Sequence, residues 1–216
     1  MRSLALLVVL AGLAGCAGMS SQSGGGEGLA DARAKIAMGR CDEGLVADLR
    51  RHKAPELEQE AAYVCLQQGE LEAVELLLSD YSKRHADGSN PDYSAYLYAL
   101  AQQVRFELTE ATDDVARLRE GRLVHQRYAD FVQTYPQSEY RTEVGPRLTT
   151  LLNDMAEAEY RLAKAAAAAG DTAQAQDRMR YVLRYYPHSS VARQVSDWLE
   201  GVAPEEADNT PPGNVW

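Results

Sequence analysis

Residues 170–190 read GDTAQAQDRMRYVLRYYPHSS, and this stretch decides the fold. Gly170 follows a helix-forming run and offers a turn, because glycine enters left-handed backbone without steric cost. Ala175 stands five residues later and Pro187 seventeen later. Between them Ala175, Met179, Val182, Leu183 and Tyr186 recur at helical spacing and share one face. The small Ala175 lets this helix approach its predecessor closely. Pro187 lacks the N–H needed to continue the ladder, so the helix ends before it. The segment is the second half of a helical hairpin.

Outward from there the pattern repeats. Leu148, Leu151, Leu152, Met155, Leu162 and Ala166 form one face of the preceding helix. Tyr128-Ala129-Asp130-Phe131 and Tyr135-Pro136-Gln137-Ser138 match Tyr181–Ser189 in form, with Tyr-Pro-x-Ser in both. Gly69 with Val74 is a weaker copy. A turn glycine, a small residue five later and a proline seventeen later resemble the tetratricopeptide repeat. Period-two alternation is absent, so no strand is expected. The spacing predicts helices over Leu29–Met38, Asp42–His52, Pro55–Gln68, Glu70–Arg84, Pro91–Glu107, Asp113–Tyr135, Ser138–Ala169, Asp171–Tyr186 and Ser189–Gly201. Pro146 beside Gly145 predicts a kink or break in the seventh. The expected fold is all-α, a tetratricopeptide-type α-solenoid of about four to five degenerate hairpins over residues 29–201; a generic helical bundle is the alternative.

The chain has 216 residues, 45% hydrophobic and 25% charged, enough for one ordinary domain. Its net charge of −10 argues against general nucleic-acid binding, which needs clustered Lys and Arg. Residues 1–15 carry Arg2 and the apolar run Leu4–Leu13, too short to span a bilayer and suited to a signal peptide. Leu13-Ala14-Gly15-Cys16 resembles a bacterial lipobox, which implies lipidation of Cys16 and anchoring to a membrane. Ala17 follows the cysteine, where an aspartate would resemble an inner-membrane retention signal, so the outer membrane is favoured. Residues 16–28 read as the lipidated cysteine and a flexible tether, and 202–216 as a disordered tail. Cys41 and Cys65 are an even pair in an oxidising compartment. Antiparallel neighbouring helices would bring the start of one level with the end of the next, which suits a disulfide; two separate buried thiols are the alternative.

From Tyr63 to Ser190 the chain also resembles the BamD family, the tetratricopeptide lipoproteins of the outer-membrane β-barrel assembly machine. Asn90-Pro91-Asp92-Tyr93-x-x-Tyr96, Phe131…Tyr135-Pro136-x-Ser138-x-Tyr140, Glu159-Tyr160 leading into Gly170, Asp177-Arg178 and Leu183-Arg184-x-Tyr186-Pro187 carry the resemblance. The first repeat lacks the Tyr-Pro ending and Ala165–Ala169 replaces an aromatic pair, so the likeness is to a divergent or shortened member. The resemblance implies a non-catalytic scaffold on the periplasmic face of the outer membrane. It implies binding to the POTRA region of the barrel-forming subunit, to other lipoproteins of the machine and to unfolded outer-membrane proteins. Arg178 matches the family's partner-binding arginine, and Arg180 and Arg184 beside it make a basic strip; an ordinary solvated charge is the other reading of Arg178. Tyr63, Tyr93, Tyr96 and Tyr98 are the candidates for a peptide groove, against plain intramolecular packing.

Nothing points to catalysis. His52, His85, His125 and His188 are scattered, and no phosphate-binding glycine loop, HExxH or nucleophile elbow occurs. No metal and no cofactor is expected. The competing function is a tetratricopeptide adaptor lipoprotein for other cell-envelope or division proteins, because fold alone does not fix a partner.

Overall fold

A computed structural model describes residues 24–202. Its helices are α1 (Gly24–Ala37), α2 (Glu43–His52), α3 (Pro55–Gln68), α4 (Leu71–Leu78), α5 (Tyr81–Arg84), α6 (Pro91–Glu107), α7 (Asp114–Thr134), α8 (Arg141–Ala168), α9 (Thr172–Tyr185) and α10 (Ala192–Val202). No strand occurs among the described residues. Helices adjacent in sequence pack as antiparallel hairpins, α1/α2, α3/α4, α6/α7 and α8/α9, and α10 packs on α9. The fold is the all-α solenoid the repeat spacing predicts. The signal peptide, Cys16 and residues 203–216 lie outside the described residues.

Local chemistry sets the ends. Pro55 and Pro91 open α3 and α6 at first-turn positions, where the absent N–H has no partner to lose. Asp42, Asp113 and Asp171 cap α2, α7 and α9 by accepting from the backbone N–H three residues on. Gly69 and Gly170 take φ of 75° and 84°, which makes them the hairpin turns the sequence assigns.

Three expectations fail. Residues 24–28, read as tether, form the first turn and more of α1. Glu70–Arg84 is two helices, because the backbone leaves α-geometry at Asp80. And α8 runs unbroken from Arg141 to Ala168 through Pro146. That proline is the sixth residue of the helix, so only one ladder bond near the end is lost.

Two apolar cores fill the solenoid. The N-terminal core gathers Ala32, Leu45, Leu49, Ala61, Val74 and Leu77. The C-terminal core gathers Phe106, Val124, Tyr128, Phe131, Met155, Met179 and Val195. Helix α6 belongs to both: Leu97, Tyr98 and Ala101 face the first, Tyr96, Ala99 and Phe106 the second. Gly121 lets α7 lie close against α8, since a Cβ there would sit 2.9 Å from Met155 Cγ.

A charged network ties α2, α3 and α5. Glu58 is fully buried. Arg84 Nη1 lies 2.8 Å from its Oε1 and 2.6 Å from its Oε2, and His85 Nε2 is 3.1 Å from Oε2. Arg84 Nε also donates to Asp80 at 2.7 Å, and Arg50 reaches Asp80 from α2 at 3.1 and 3.2 Å. Hydrogen bonds from Arg50 and then Arg84 hold the Asp80 carboxyl down at about 2. Its folded value is depressed, so its contribution to stability is present above the ordinary carboxylate value of about 4 and fades as pH falls towards 2. Asp80→Asn is therefore expected to lower the urea midpoint at pH 7 and to converge on the parent as pH approaches 2. An equal gap at both pH values, read by circular dichroism, would contradict this.

The structure bonds Cys41 to Cys65, with Cα atoms 5.1 Å apart. Cys41 sits in the turn between α1 and α2, and Cys65 in the last turn of α3. The Gln68 amide reinforces the same junction: it donates to the Gly39 carbonyl, and its oxygen accepts from the Cys41 N–H at 3.3 Å.

Candidate functional site

Two concave surfaces stand out, one in each half. The C-terminal one runs along α8 between α7 and α9. It opens as a hollow of about 490 Å³ floored by Thr149, Leu152 and Asn153 and walled by Tyr185 and His188. It continues past Tyr181, His125 and Arg122, and ends over Glu159, Arg122 and Arg178. On α9, positions 178, 181 and 185 recur at i, i+3 and i+7, so these side chains share the face turned to the groove. Tyr181 and Tyr185 pack ring on ring, centroids 4.4 Å apart, and Tyr185 stays half-exposed.

The groove's charged end is built on one buried carboxylate. Glu159 of α8 is buried. Arg178 Nη1 reaches its Oε2 at 2.5 Å, and Arg122 Nη2 its Oε1 at 3.4 Å. Asp177 lines the same end, so the charges there balance, with two guanidiniums sharing one buried carboxylate. Their unused N–H donors suit a second carboxylate brought by a partner.

This arrangement corrects the arginine strip. Arg178 is a half-buried member of an ion pair inside the chain and not a freely solvated charge. At about 100° per residue, Arg180 and Arg184 lie roughly 200° and 240° round the helix from it. Arg180 pairs along α9 with Asp177 at 3.3 Å, and Arg184 lies over the Tyr185 ring at 5.3 Å. The three do not form one row.

The N-terminal surface is a cleft of about 640 Å³ among α1, α3, the start of α6 and the α7–α8 turn. Tyr63 and Tyr93 line it, with Ile36, Val64 and Tyr140, and Glu56, Glu60 and Glu139 stand at its edges. The other two tyrosines read as groove residues do not reach it. Tyr96 is buried beneath Tyr140, stacked at 4.9 Å with planes 12° apart, and donates to Glu143 at 2.5 Å. Burial first, and that bond second, push its phenol up to about 12. Tyr98 turns to the opposite side, where its hydroxyl reaches Glu75 at 3.4 Å and its ring lies under Arg127 at 4.8 Å. The helical period separates the pairs: Tyr96 and Tyr98 are about 200° apart on α6.

The residues sequence reasoning missed are Arg122, Glu159, Tyr140, Tyr181 and Tyr185 as a set. A local signal existed for the last two, a tyrosine-rich helix end before Pro187. Glu159 and Arg178 are 19 residues apart on facing helices, and only a hairpin register brings them together.

Among the described residues no three His, Cys, Asp or Glu side chains gather as a metal site, and no helix is long and apolar enough to cross a membrane. No curated protein matches the chain. A family model described as YfiO, outer membrane lipoprotein, matches residues 49–198, which takes in α3 to α9 and both halves of the solenoid. The match covers well over half of the sequence and includes the repeat whose turn glycine, small residue and proline opened the reading. On that match the chain belongs to the YfiO family of outer membrane lipoproteins.

Proposed function

We propose that this protein is a non-catalytic scaffold, lipid-anchored through Cys16 to the periplasmic face of the outer membrane, which serves the insertion of β-barrel proteins. It docks the POTRA region of the barrel-forming subunit in the groove between α7 and α9. Membership of a family of outer membrane lipoproteins supports a place in a membrane-associated assembly. The groove supports the docking mode. Half-exposed Tyr185, with the partly covered Tyr181 beside it, offers a flat apolar anchor of the kind that dominates protein interfaces. The unused N–H donors of Arg122 and Arg178 beside them suit an acidic residue of the partner. That shared carboxylate is the observation that carries the reading. The N-terminal cleft, with Tyr63 and Tyr93, is the place for unfolded barrel segments.

Co-purification from detergent-solubilised envelopes tests it. Tyr185→Ala is expected to lower recovery of the POTRA-bearing subunit by about tenfold or more, the loss of one well-packed aromatic anchor. Arg122→Glu should act in the same direction. Arg178→Glu is a poorer test, because it sets a second carboxylate against buried Glu159 and weakens the fold itself. Unchanged recovery with Tyr185→Ala and Arg122→Glu would refute the groove. Recovery of other envelope or division proteins, with the barrel-forming subunit absent, would favour the adaptor reading.

A further inference from the structure

The first helix is lightly held. Ala32 is the one side chain of α1 that is fully buried among those described, and Leu29 and Ile36 are only partly covered by the N-terminal core. The next helix, α2, buries Leu45, Val46 and Leu49. Helices with so little apolar contact are the ones that open first in a folded protein. Yet α1 contributes a wall to the N-terminal cleft, because Ile36 of its last turn lines it opposite Tyr63 and Val64 of α3.

Helix α1 packs chiefly on α2, with Lys35 paired to Asp42 at 3.3 Å, and toward α3 it is held by the turn after it. Gly39, Arg40 and Cys41 are fastened to the last turn of α3 by the Cys41–Cys65 bond and by the two Gln68 amide contacts. The amide contacts are exposed and compete with water. The covalent bond is the part of the fastening that water cannot replace.

We propose that the Cys41–Cys65 disulfide is a redox latch on α1: oxidised, it seats α1 as the wall of the cleft; reduced, it lets α1 leave α3 and opens the cleft on that side. Cys65 is fully buried and Cys41 only half, so attack falls on Cys41 Sγ. The reductant is a dithiol. One of its thiolates attacks Cys41 Sγ, the S–S bond breaks, and the electron pair leaves with Cys65 Sγ, which takes up a proton. The second thiol of the reductant then displaces Cys41, which leaves as a thiol, and the reductant becomes a disulfide. Two electrons and two protons pass to this chain.

Opening also changes the reach of the body from its anchor. With Cys16 as the anchored residue, the chain from Cys16 to Gly24 spans at most about 28 Å. With α1 detached and extended, the fixed point moves to the start of α2 at Glu43 and the ceiling rises to about 95 Å. A reducing stress would lengthen the leash and unwall the cleft in one step.

The test compares the full chain oxidised and after dithiothreitol at neutral pH. Hydrogen exchange over residues 24–41, and tryptic cleavage after Arg33, Lys35 and Arg40, are expected to rise roughly tenfold or more on reduction. Protection in α6 to α9 should stay unchanged. Cys41→Ser with Cys65→Ala should reproduce the open state without reductant. Unchanged exchange in α1 after reduction would overturn the latch, as would a bond that dithiothreitol cannot cut in the folded protein. Loss of protection through the whole chain would overturn it too, since the bond would then be a condition of folding. Recovery of a partner through the α7–α9 groove is a separate readout, which tests the proposed function and does not decide the latch.

Discussion

Glu58→Ala is expected to cost about 3–5 kcal/mol, the range for breaking a buried ion pair from one side. Glu58 is fully buried, and Arg84 is only 16% exposed at its side chain. Removing the carboxylate leaves the guanidinium facing a cavity, with Asp80 its remaining carboxylate partner. His85 Nε2, 3.1 Å from Glu58 Oε2, loses the same neighbour. The damage should be local to α2, α3 and α5, so urea unfolding should separate into two transitions, the N-terminal half first. Glu58→Gln keeps the shape and loses the charge, and should fall between parent and alanine. Replacing both partners by leucine should recover most of the loss, because an apolar pair carries no stranded charge. A cost below about 1 kcal/mol for Glu58→Ala would show that the network contributes little.

The second large effect belongs to the other core. Tyr128 is fully buried in α7, and its hydroxyl donates to Gln103 Oε1 at 2.5 Å. Burial holds its phenol well above the usual range, so the hydroxyl stays a donor at any ordinary pH. Tyr128→Ala removes a ring from a close-packed space and should cost about 3–5 kcal/mol. Tyr128→Phe removes only the hydroxyl, leaves Gln103 to find water, and should cost about 1 kcal/mol. The ratio of the two separates packing from hydrogen bonding. Near-equal losses, measured by chemical denaturation, would place the importance of Tyr128 in its hydroxyl instead.

Legibility in the sequence followed the range of the interaction. Helices α3 and α6 run over Pro55–Gln68 and Pro91–Glu107, the bounds the sequence predicts, because a first-turn proline is read without knowing the fold. The break at Asp80 was missed. Ser79-Asp80-Tyr81-Ser82 are weak helix formers and a local signal for it, but what holds Asp80 there includes Arg50, thirty residues away. Gly24–Gly28 reads as a tether on propensity, yet these residues continue α1. Gly145-Pro146 reads as a break, yet it lies close enough to the helix start to be tolerated. In the sites, Arg178 entered through the family resemblance, whereas its pairing with Glu159 on the facing helix had no local signal. Tyr63 and Tyr93 reach the cleft. Tyr96 and Tyr98 do not, because a run of tyrosines along one helix points in several directions.

Helix α6 gives one face to each of two apolar clusters, and this has a mechanical consequence. It is an axle common to two wheels. A push on the N-terminal half reaches the C-terminal groove by turning or sliding this one rod, since Leu97 and Tyr98 cannot move without carrying Ala99 and Tyr96. Cargo seated at one end would thus be felt at the other as a small roll of a single cylinder.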